Sequence, residues 1–364
     1  MTKKIMLIDD EESVRKAMSG ILARKGYELS LFDNGIDALD SLNDINPDLI
    51  ILDMHMPRMD GLAFLKNVRE NRMTTAPVLM VTGSADPELK ARSYKLGVYD
   101  YINKPEDTEV MLKRIENGLK IGEMINFNEF IKIELMMARK LQTYLFPPMV
   151  LDTPKVNIQT VTKPLSDIGG DLFDYIEFRD GRVIFFVADV SGHSISAALY
   201  TAIVKMVFRN AIKDADTPAG IMTLMNRELS GNIPIESFVT VFCGMLDFSS
   251  SLLYYCNAGH PAPIVMTGNE IDVLEGSDSF LGPIRDAEFH NLTWPVAAGS
   301  RICLFTDGAL DPGEGGAGDE WIRKILKSGK FGLDELFQLL RINIMERPAS
   351  GQDDDRTLML VRIK

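Results

Sequence analysis

The sequence has few of the residues that form disulfide frameworks or zinc sites, with three cysteines and four histidines in 364 residues. Cys243, Cys256 and Cys303 lie in separate apolar stretches, so neither a Cys-x-x-Cys metal site nor a disulfide framework is expected. We instead expect buried thiols in a reducing compartment, and we predict a cytoplasmic location.

The sequence also lacks an excess of positive charge and long apolar runs, since 39 Lys and Arg residues stand against 52 Asp and Glu residues. The net charge of −13 argues against direct nucleic-acid binding, which requires basic clusters. No run of about 18 apolar residues occurs, so no membrane span is expected, and the opening MTKKIMLIDDEE lacks the apolar core of a signal peptide. The length of 364 residues is nevertheless enough for two or three domains, and hydrophobic residues make up 46% of the chain, which supports real cores.

The first third of the chain alternates short apolar stretches with amphipathic ones, which is typical of a five-stranded, parallel, doubly wound α/β sheet. The predicted strands are Ile5–Ile8, Leu29–Phe32, Leu49–Leu52, Val78–Val81 and Tyr99–Ile102, and the clearest predicted helices are Val14–Lys25 and Gly61–Glu70. Ligands of such sheets bind at the carboxyl ends of the strands.

Polar residues follow four of these predicted strands. Asp9 and Asp10 follow the first, Asp53 the third, Thr82 the fourth and Lys104 the fifth. A single acid after a strand is usually a loop or capping residue, but five polar residues at matching ends favour a site. Clustered carboxylates repel one another unless a hard cation lies between them, and Mg²⁺ suits a few carboxylates with water and phosphate.

The motifs IDDEE, LDMHMPRMDG, VTGSA and YINKP resemble the receiver domain of two-component response regulators. The resemblance covers about residues 3–122, and we assign residues 1–122 to such a domain. It implies that Asp53 accepts a phosphoryl group from a histidine kinase or another phosphodonor. It further implies Mg²⁺ held by Asp10, Asp53 and the His55 backbone carbonyl with support from Asp9, phosphoryl contacts from Lys104 and Thr82, and Tyr101 as the switch aromatic.

Residues 108–148 are predicted to form one long helix that ends at Pro147-Pro148. The apolar residues at helical spacing are Leu112, Ile115, Leu119, Phe130, Ile133, Met137, Leu141 and Tyr144. The segment is either a spacer or an element that carries a signal from one domain to the next, and the motifs on both sides favour the second interpretation. Gly118 and Gly122 interrupt the pattern and suggest a hinge.

The apolar stripe of this helix needs a partner. A coiled-coil homodimer through the helix is one hypothesis, and packing on the chain's own domains is the other.

Residues 150–364 are predicted to form an α+β domain with two stacked sheets and helices outside, an α-β-β-α sandwich. The predicted strands are Val156–Val161, Leu172–Glu177, Val183–Val190, Val239–Leu246, Leu252–Asn257, Arg301–Phe305 and Thr357–Arg362. The predicted helices are Ile195–Asn210, Ala219–Ser230, Trp321–Ser328 and Leu333–Met345.

Carboxylates again stand beside small residues at the ends of predicted strands. They are Asp171 after two glycines, Asp189 before Val190-Ser191-Gly192, Asp307 before Gly308, and the pair Asp354-Asp355 before the last strand. Each alone is more often a turn. Together, without clustered His or Cys, they favour Mg²⁺ or Mn²⁺ over zinc.

The motifs ELMMARKLQ, LFPP, DIGGDLFDY, VADVSGHSISAAL, FVTVFCGMLD, YCNAGHPAP, LFTDGALD and DDDRTLMLV resemble the metal-dependent Ser/Thr protein phosphatases of the PPM family, in their SpoIIE-like branch. The resemblance implies two Mn²⁺ or Mg²⁺ ions held by Asp171, Asp189, Asp307, Asp354 and the Val190 carbonyl, with Asp355 beside these ligands. The implied reaction is hydrolysis of phosphoserine or phosphothreonine on a protein. By family analogy the substrate is a phosphorylated anti-sigma-factor antagonist, so the protein would control sigma-factor-dependent transcription by partner switching.

The sequence departs from this family at two places. Ser194 stands where glycine is frequent after His193, and Ala309-Leu310-Asp311-Pro312 stands where a short TEA-like string usually follows Asp307-Gly308. The next loop is glycine-rich at 313–318 and is either a gating flap or a disordered loop. His260 is expected to be a structural turn residue, and the role of His193 stays open. The alternative to an active enzyme is an adaptor with a weak or inactive phosphatase fold that binds a regulatory protein when Asp53 is phosphorylated.

Overall fold

The computed structural model describes residues 2–83, 87–165, 168–192, 195–234, 237–310, 318–327, 333–347 and 354–364. The chain divides into two compact units, Met1–Glu134 and Leu135–Lys364, each with its own hydrophobic core. Within the described residues, no helix combines the length and the apolar character needed to cross a bilayer.

Five parallel strands form the sheet of the first unit, in the order β2-β1-β3-β4-β5. They are β1 (Lys4–Ile8), β2 (Glu28–Phe32), β3 (Leu49–Asp53), β4 (Val78–Thr82) and β5 (Asp100–Asn103), and the connecting helices are α1 (Glu12–Arg24), α2 (Gly35–Ile45), α3 (Gly61–Glu70) and α4 (Pro87–Lys95). Residues of α2 and α3 pack on one face of the sheet, and residues of α1 and of the helix after β5 pack on the other. The predicted doubly wound α/β fold is confirmed.

Helix α5 (Thr108–Thr143) is 36 residues long and ends earlier than the sequence suggested. We expected it to run to Pro147, but its last turn closes through hydrogen bonds from Tyr144 N to Leu141 O (3.1 Å) and from Leu145 N to Gln142 O (2.9 Å). Such bonds to the third preceding residue tighten and end a helix before the prolines are reached.

The two glycines of α5 have a packing role that the sequence did not reveal. The helix continues through both, and both are buried. A Cβ at Gly118 would lie 2.8 Å from Leu49 Cδ1, and one at Gly122 would lie 3.1 Å from the carbonyl oxygen of Asp48 and from Pro77 Cδ. Where a hinge was expected, the helix is unbroken and approaches the sheet closely, so that an added Cβ at either glycine would force its neighbours to shift.

The predicted apolar stripe of α5 divides into a buried and an exposed part. Ile115 and Leu119 are buried in the core of the first unit. Later apolar residues of the segment have exposed fractions from 50% to 75%: Met124, Phe127, Phe130, Ile133, Met136, Met137, Leu141 and Tyr144. We call these eight residues the exposed stripe.

The second unit contains two antiparallel sheets, with orders β14-β11-β10-β9-β8 and β13-β12-β15-β16-β7-β6. The strands are β6 (Val150–Asp152), β7 (Val156–Lys163), β8 (Asp171–Glu177), β9 (Val183–Val190), β10 (Val239–Asp247), β11 (Leu252–Ala258), β12 (Ile264–Thr267), β13 (Glu270–Val273), β14 (Leu292–Pro295), β15 (Arg301–Phe305) and β16 (Arg356–Ile363). Apolar residues from both sheets share one core, which confirms that the sheets stack.

Two pairs of helices cover the outer faces of these sheets. Helices α6 (Ile195–Asp214) and α7 (Pro218–Leu229) pack on the first sheet, and α8 (Glu320–Lys327) and α9 (Leu333–Glu346) pack on the second. The predicted α-β-β-α sandwich is confirmed. The short strands β6, β12, β13 and β14 were not predicted, because three or four residues carry too little periodicity to be recognised.

Candidate functional site

The carboxyl ends of β1, β3 and β5 bring two acids and a lysine together in the first unit. Lys104 Nζ lies 2.8 Å from Asp9 Oδ2 and 2.6 Å from Asp53 Oδ1. Asp9 and Asp53 are buried, while the Lys104 side chain is 31% exposed. Burial disfavours the charged lysine, but its contacts with Asp53 and Asp9 dominate and raise the pKa of Lys104. The ammonium group therefore offsets part of the negative charge in this acid pocket.

Backbone amides bind the remaining carboxylate oxygens of the acid pocket. The amide of His55 donates to Asp53 Oδ2 (2.8 Å), and the amide of Glu11 donates to Asp9 Oδ1 (2.9 Å). Thr82 is buried at the end of the neighbouring strand β4, and Asp10 is exposed. The structure thus brings Asp9, Asp53 and Lys104 into direct contact, with one defined orientation for the Asp53 carboxylate.

Tyr101 is buried in the first unit, with its hydroxyl directed to α4. The hydroxyl is hydrogen-bonded to Ser93 Oγ and donates to the carbonyl of Lys90 at 3.4 Å. Its ring packs edge-on against Tyr94 with 5.4 Å between centroids. Burial raises the pKa of the Tyr101 phenol, so the side chain is a neutral hydrogen-bonding group.

In the second unit, the ends of strands from both sheets bring the predicted carboxylates together. Asp171 begins β8 and is the register partner of Asp189 in β9. Burial, followed by the charges of Asp307, Asp354 and Asp355, raises the pKa of Asp189 to about 7. Burial, followed by the charges of Asp189 and Asp355, raises the pKa of Asp171 well above its usual value. These five residues are the acid cluster of the second unit.

Three glycines beside the acid cluster make close contacts with the carboxylate of Asp355 or with neighbouring backbone. A Cβ at Gly169 would lie 2.7 Å from Asp355 Oδ2, and one at Gly170 would lie 2.7 Å from the Val190 carbonyl oxygen. A Cβ at Gly308 would overlap the carbonyl oxygen of Asp355. The glycines therefore set the distances between the segments that carry the acids.

Two side chains hold these segments in place. Asp355 accepts hydrogen bonds from the amides of Leu165 (2.7 Å) and Gly170, which fits its predicted place beside the ligands. Thr306 Oγ1 donates to Asp171 Oδ2 (2.9 Å) and accepts from the amide of Thr357 (2.9 Å). The role of Thr306 was missed, because its carboxylate partner is far away in the sequence.

The donor chemistry of the acid cluster fits divalent ions. Among the described residues, no ion pair joins Asp171, Asp189, Asp307 or Asp354 to a Lys, Arg or His side chain. A cation stabilises buried carboxylates of like charge in their ionised form, and oxygen donors suit Mg²⁺ or Mn²⁺. No three described His, Cys, Asp or Glu side chains are already arranged as a ligand set, so the fit rests on charge and donor type.

Comparison with known families identifies the second unit. The model of the family Stage II sporulation protein E (SpoIIE) matches residues 179–364, just over half of the chain. The chain belongs to the SpoIIE family. The model of the response regulator receiver domain matches residues 5–116. The resemblances that the motifs suggested are both confirmed.

Curated relatives cover the two parts separately. Phosphoserine phosphatase RsbP of Bacillus subtilis is 29% identical over 187 residues, which are 50% of this chain and 46% of RsbP. Regulatory protein AtoC of Escherichia coli is 34% identical over 121 residues, which are 33% of this chain and 26% of AtoC. The matched segments thus span from about a quarter to about half of the length of these relatives.

Solved structures share the fold of the SpoIIE-family part. The SiaA-PP2C domain of Pseudomonas aeruginosa has a TM-score of 0.56 and 21% identity, covering 65% of this chain and 98% of that one. The RsbU and RsbW domains of Rv1364c from Mycobacterium tuberculosis have a TM-score of 0.51 and 24% identity, covering 60% of this chain and 62% of that one.

The end of α5 binds the segment that precedes Asp171 through Gln142, which the sequence did not single out. Its Nε2 donates to the carbonyl of Gly169 (2.7 Å) and to Thr201 Oγ1 (3.2 Å), and its Oε1 accepts from the amide of Gly169 (3.3 Å). Gly169 and Gly170 directly precede Asp171. The amide side chain therefore binds both backbone polar groups of Gly169, in the segment that leads to a cluster carboxylate.

A buried ion pair was also missed in the motif DLFDY of the SpoIIE-family part. Asp174 is fully buried and accepts two hydrogen bonds from Arg209, both at 2.7 Å, and Lys205 Nζ lies 3.3 Å away. The pair connects β8 with α6. Its apolar surroundings in the sequence gave no indication of the cationic partners.

Of the two histidines in the predicted phosphatase motifs, His260 lies within the described residues and His193 does not. His260 is buried, and its amide and carbonyl bond to the Asn257 side chain at 2.8 and 2.9 Å, which confirms its structural turn role. Burial lowers the pKa of His260 to about 3. His193 and Ser194 lie outside the described residues, as does residue range 311–317 of the glycine-rich segment.

Proposed function

We propose that this chain is a phosphorylation-regulated, metal-dependent protein-serine/threonine phosphatase. The observation that carries the proposal is the acid cluster of the second unit. Five carboxylates share one strand-end region, without a basic ion-pair partner among the described residues for the four proposed ligands. RsbP, a phosphoserine phosphatase by name, matches this part of the chain and supports the assignment.

The proposed ligands of two Mn²⁺ or Mg²⁺ ions are Asp171, Asp189, Asp307, Asp354 and the Val190 carbonyl. When bound, such ions supply a water of lowered pKa and neutralise phosphate oxygens. Thr306 orients Asp171 through its hydroxyl, and Asp355 fixes the backbone of Gly170. The chain itself needs to supply no nucleophile, because water is the attacking group.

In the first unit we assign Asp53 as the phosphoacceptor. Its carboxylate is oriented by the His55 amide and paired with Lys104, whose ammonium group can bind a phosphoryl oxygen after transfer. Asp10, Asp53 and the His55 carbonyl are the proposed Mg²⁺ ligands, next to Asp9, and the ion supplies charge neutralisation when bound. Thr82 and Tyr101 are the proposed switch residues, since added charge on Asp53 would attract a hydroxyl donor.

We propose that α5 carries the signal, and that phosphorylation activates the phosphatase. The hydrogen bonds between Gln142 and Gly169 support this role, because a displacement of the end of α5 would act on the segment before Asp171. The exposed stripe supports a homodimer through this helix, since exposed apolar side chains at helical spacing are covered well by a second copy.

The proposed partners are a histidine kinase or another phosphodonor and, as the substrate, a phosphorylated anti-sigma-factor antagonist in the cytoplasm. The likeness to RsbP, a phosphoserine phosphatase by name, supports phosphoserine as the group that is hydrolysed. The protein would then influence transcription by partner switching without binding nucleic acid, in keeping with its net charge of −13.

A second candidate is an adaptor with an inactive phosphatase fold. The lack of a ready-made three-ligand group among the described side chains favours it. The two functions differ in turnover, because the adaptor would bind its partner protein without releasing phosphate.

The test is release of phosphate from candidate phosphorylated antagonist proteins by the full chain with Mn²⁺, with and without beryllofluoride. We expect turnover that rises when the receiver carries the phosphoryl mimic, and no such rise in Asp53→Asn. Tight binding without turnover would support the adaptor. Turnover that ignores both beryllofluoride and Asp53→Asn would reject regulation by the receiver.

A further inference from the structure

The residue that follows α9 contacts the turn that carries Asp307. Arg347 Nη1 donates to the carbonyl of Ala309 (3.2 Å), and Nη2 donates to the carbonyl of Leu310 (2.6 Å). These carbonyls belong to the short 3₁₀ turn Asp307–Ala309 and the residue after it. Arg347 itself is fixed to the end of α9, because its amide donates to the carbonyl of Asn343.

The backbone of Arg347 contacts Arg356, the residue that follows the acids Asp354 and Asp355. Its carbonyl accepts a hydrogen bond from Arg356 Nη1 at 2.9 Å. Arg356 is 4% exposed and directly follows Asp354 and Asp355. One residue therefore binds the segment of Asp307 through its guanidinium group and the segment of Asp354 through its carbonyl.

A second donor strengthens the contact at Ala309. Trp321 Nε1 from α8 donates to the same carbonyl at 3.1 Å. Ala309 is fully buried, and its amide closes the turn on Thr306 O. Gly308 is in tight contact with the Asp355 backbone. The turn is thus held by α8, by Arg347 and by the chain before β16.

We propose that Arg347 is a positioning residue for the metal site, which sets the distance between the carboxylates of Asp307 and Asp354. The inference rests on the proposed function, since it requires these carboxylates to bind ions. Hydrogen bonds from a charged guanidinium are stronger than neutral ones, and its planar fork fixes two carbonyls at once. Groups that orient metal ligands without touching the ion change metal affinity markedly.

The test compares Arg347→Met and Arg347→Lys with Arg341→Met in the full chain. Arg341 is the matched control, because it lies on α9 and its side chain bonds only to Gln338 among the contacts described. Mn²⁺ binding is measured by calorimetry and by the fluorescence of Trp321 in a Trp294→Phe background. We expect Arg347→Met to weaken Mn²⁺ binding by about tenfold or more. Arg347→Lys should lie between it and wild type, because one ammonium cannot hold both carbonyls, and Arg341→Met should match wild type.

Hydrolysis of an aryl phosphate provides a second readout. The Mn²⁺ concentration for half-maximal rate should rise in Arg347→Met, while the rate at saturating Mn²⁺ stays near that of wild type. A residue that only stabilises the fold would not shift the half-maximal concentration.

The outcomes separate this inference from the proposed function. If wild type binds no Mn²⁺, both fail. If wild type binds Mn²⁺ and Arg347→Met binds it equally well, the positioning role is overturned and the proposed function stands. If circular dichroism shows Arg347→Met unfolded, Arg347→Lys and Trp321→Phe decide by calorimetry: weaker binding supports the role, and unchanged binding in both rejects it.

Discussion

Both units place acids at strand ends, but they differ in whether a basic side chain lies beside these acids. In the acid pocket of the first unit, Lys104 lies within 2.8 Å of both Asp9 and Asp53. In the acid cluster of the second unit, more carboxylates meet without a basic partner for the proposed ligands among the described residues. A built-in cation lets the first site hold its acids before any ion arrives, whereas the proposed metal site of the second unit would need an external cation for the same purpose.

The largest expected effect is the loss of ion binding in the second unit. Asp189→Asn should lower the rate of Mn²⁺-dependent aryl phosphate hydrolysis at least about 100-fold, because disturbing even the partner of a metal ligand costs 10–100-fold. Asp180→Asn is the control, since Asp180 is exposed and pairs only with Arg182 among the described contacts. Chelation of divalent ions should reproduce the loss in wild type. Equal rates in Asp189→Asn and Asp180→Asn would contradict the claim that the acid cluster of the second unit binds an external ion.

The next effect is destabilisation of the first unit when its own cation is removed. Lys104→Met leaves Asp9 and Asp53 without their ammonium partner, and we expect about 2 kcal/mol lower stability, less than for a fully buried pair because Lys104 is partly exposed. Calorimetry measures the change, and added Mg²⁺ should reverse part of it. Lys113→Met removes an exposed pair with Glu116 and should have little effect. Similar stabilities for Lys104→Met and Lys113→Met would show that Lys104 does not stabilise the acids of the first unit.

A smaller expected effect is the change in folding stability with pH that a buried histidine contributes to the second unit. His55 of the first unit is exposed, whereas burial lowers the pKa of His260 in the second unit to about 3. The unfolded chain binds this proton below about pH 6.5 and the folded chain does not, so the contribution of His260 to stability falls as the pH drops. Between pH 8 and pH 5.5 this contribution should fall by about 1.4 kcal/mol, so the stability of His260→Asn relative to wild type should rise by that amount as the pH drops.

Both tryptophans, Trp294 and Trp321, belong to the second unit, so urea unfolding followed by their fluorescence reports this part. His290→Asn serves as a control of opposite sign. The hydrogen bond to Asp278 raises the pKa of His290, so its contribution is present at low pH and is lost as the pH rises through that pKa. A His260→Asn variant with the slope of wild type would show that another group carries the acid sensitivity.

The smallest expected effect concerns the packing beneath the acid pocket. Gly118→Ala should destabilise the first unit by about 1 kcal/mol, because the clash with Leu49 of β3 outweighs the gain in helix propensity. Gly20 lies in α1, where an added Cβ would meet no atom within 4 Å, so Gly20→Ala should instead stabilise by about 0.5–1 kcal/mol. Thermal unfolding compares the two, and the same sign for both would refute the packing role.

The parts of the fold that depend on local pattern were predictable from the sequence. The limits of Val183–Val190 and Arg301–Phe305 agree with the structure, because long apolar runs flanked by glycine or charge define buried strands. The acids at their ends were recognised for the same reason.

Contacts between distant segments were not predictable. The helix propensity of Gly118 suggested a weak point, whereas Leu49, far away in the sequence, determines why glycine is needed. Likewise Gln142, Thr306 and Arg347 act on peptide groups or carboxylates that no spacing rule connects to them. A polar residue in a helix or loop is usually solvated, so only its tertiary partner reveals its role.

The close packing of α5 has a consequence for dissecting the protein. The receiver family match ends at residue 116, yet Gly118 and Gly122 pack on the sheet, Lys3 Nζ lies 2.9 Å from Glu123, and Thr75 Oγ1 bonds to Asn126 at 3.0 Å. A fragment cut at the family boundary would uncover Leu49 and Pro77 and lose both polar contacts. Limited proteolysis should therefore leave a stable N-terminal fragment that extends past Asn126, and a gene truncation intended to isolate the receiver should end beyond that residue.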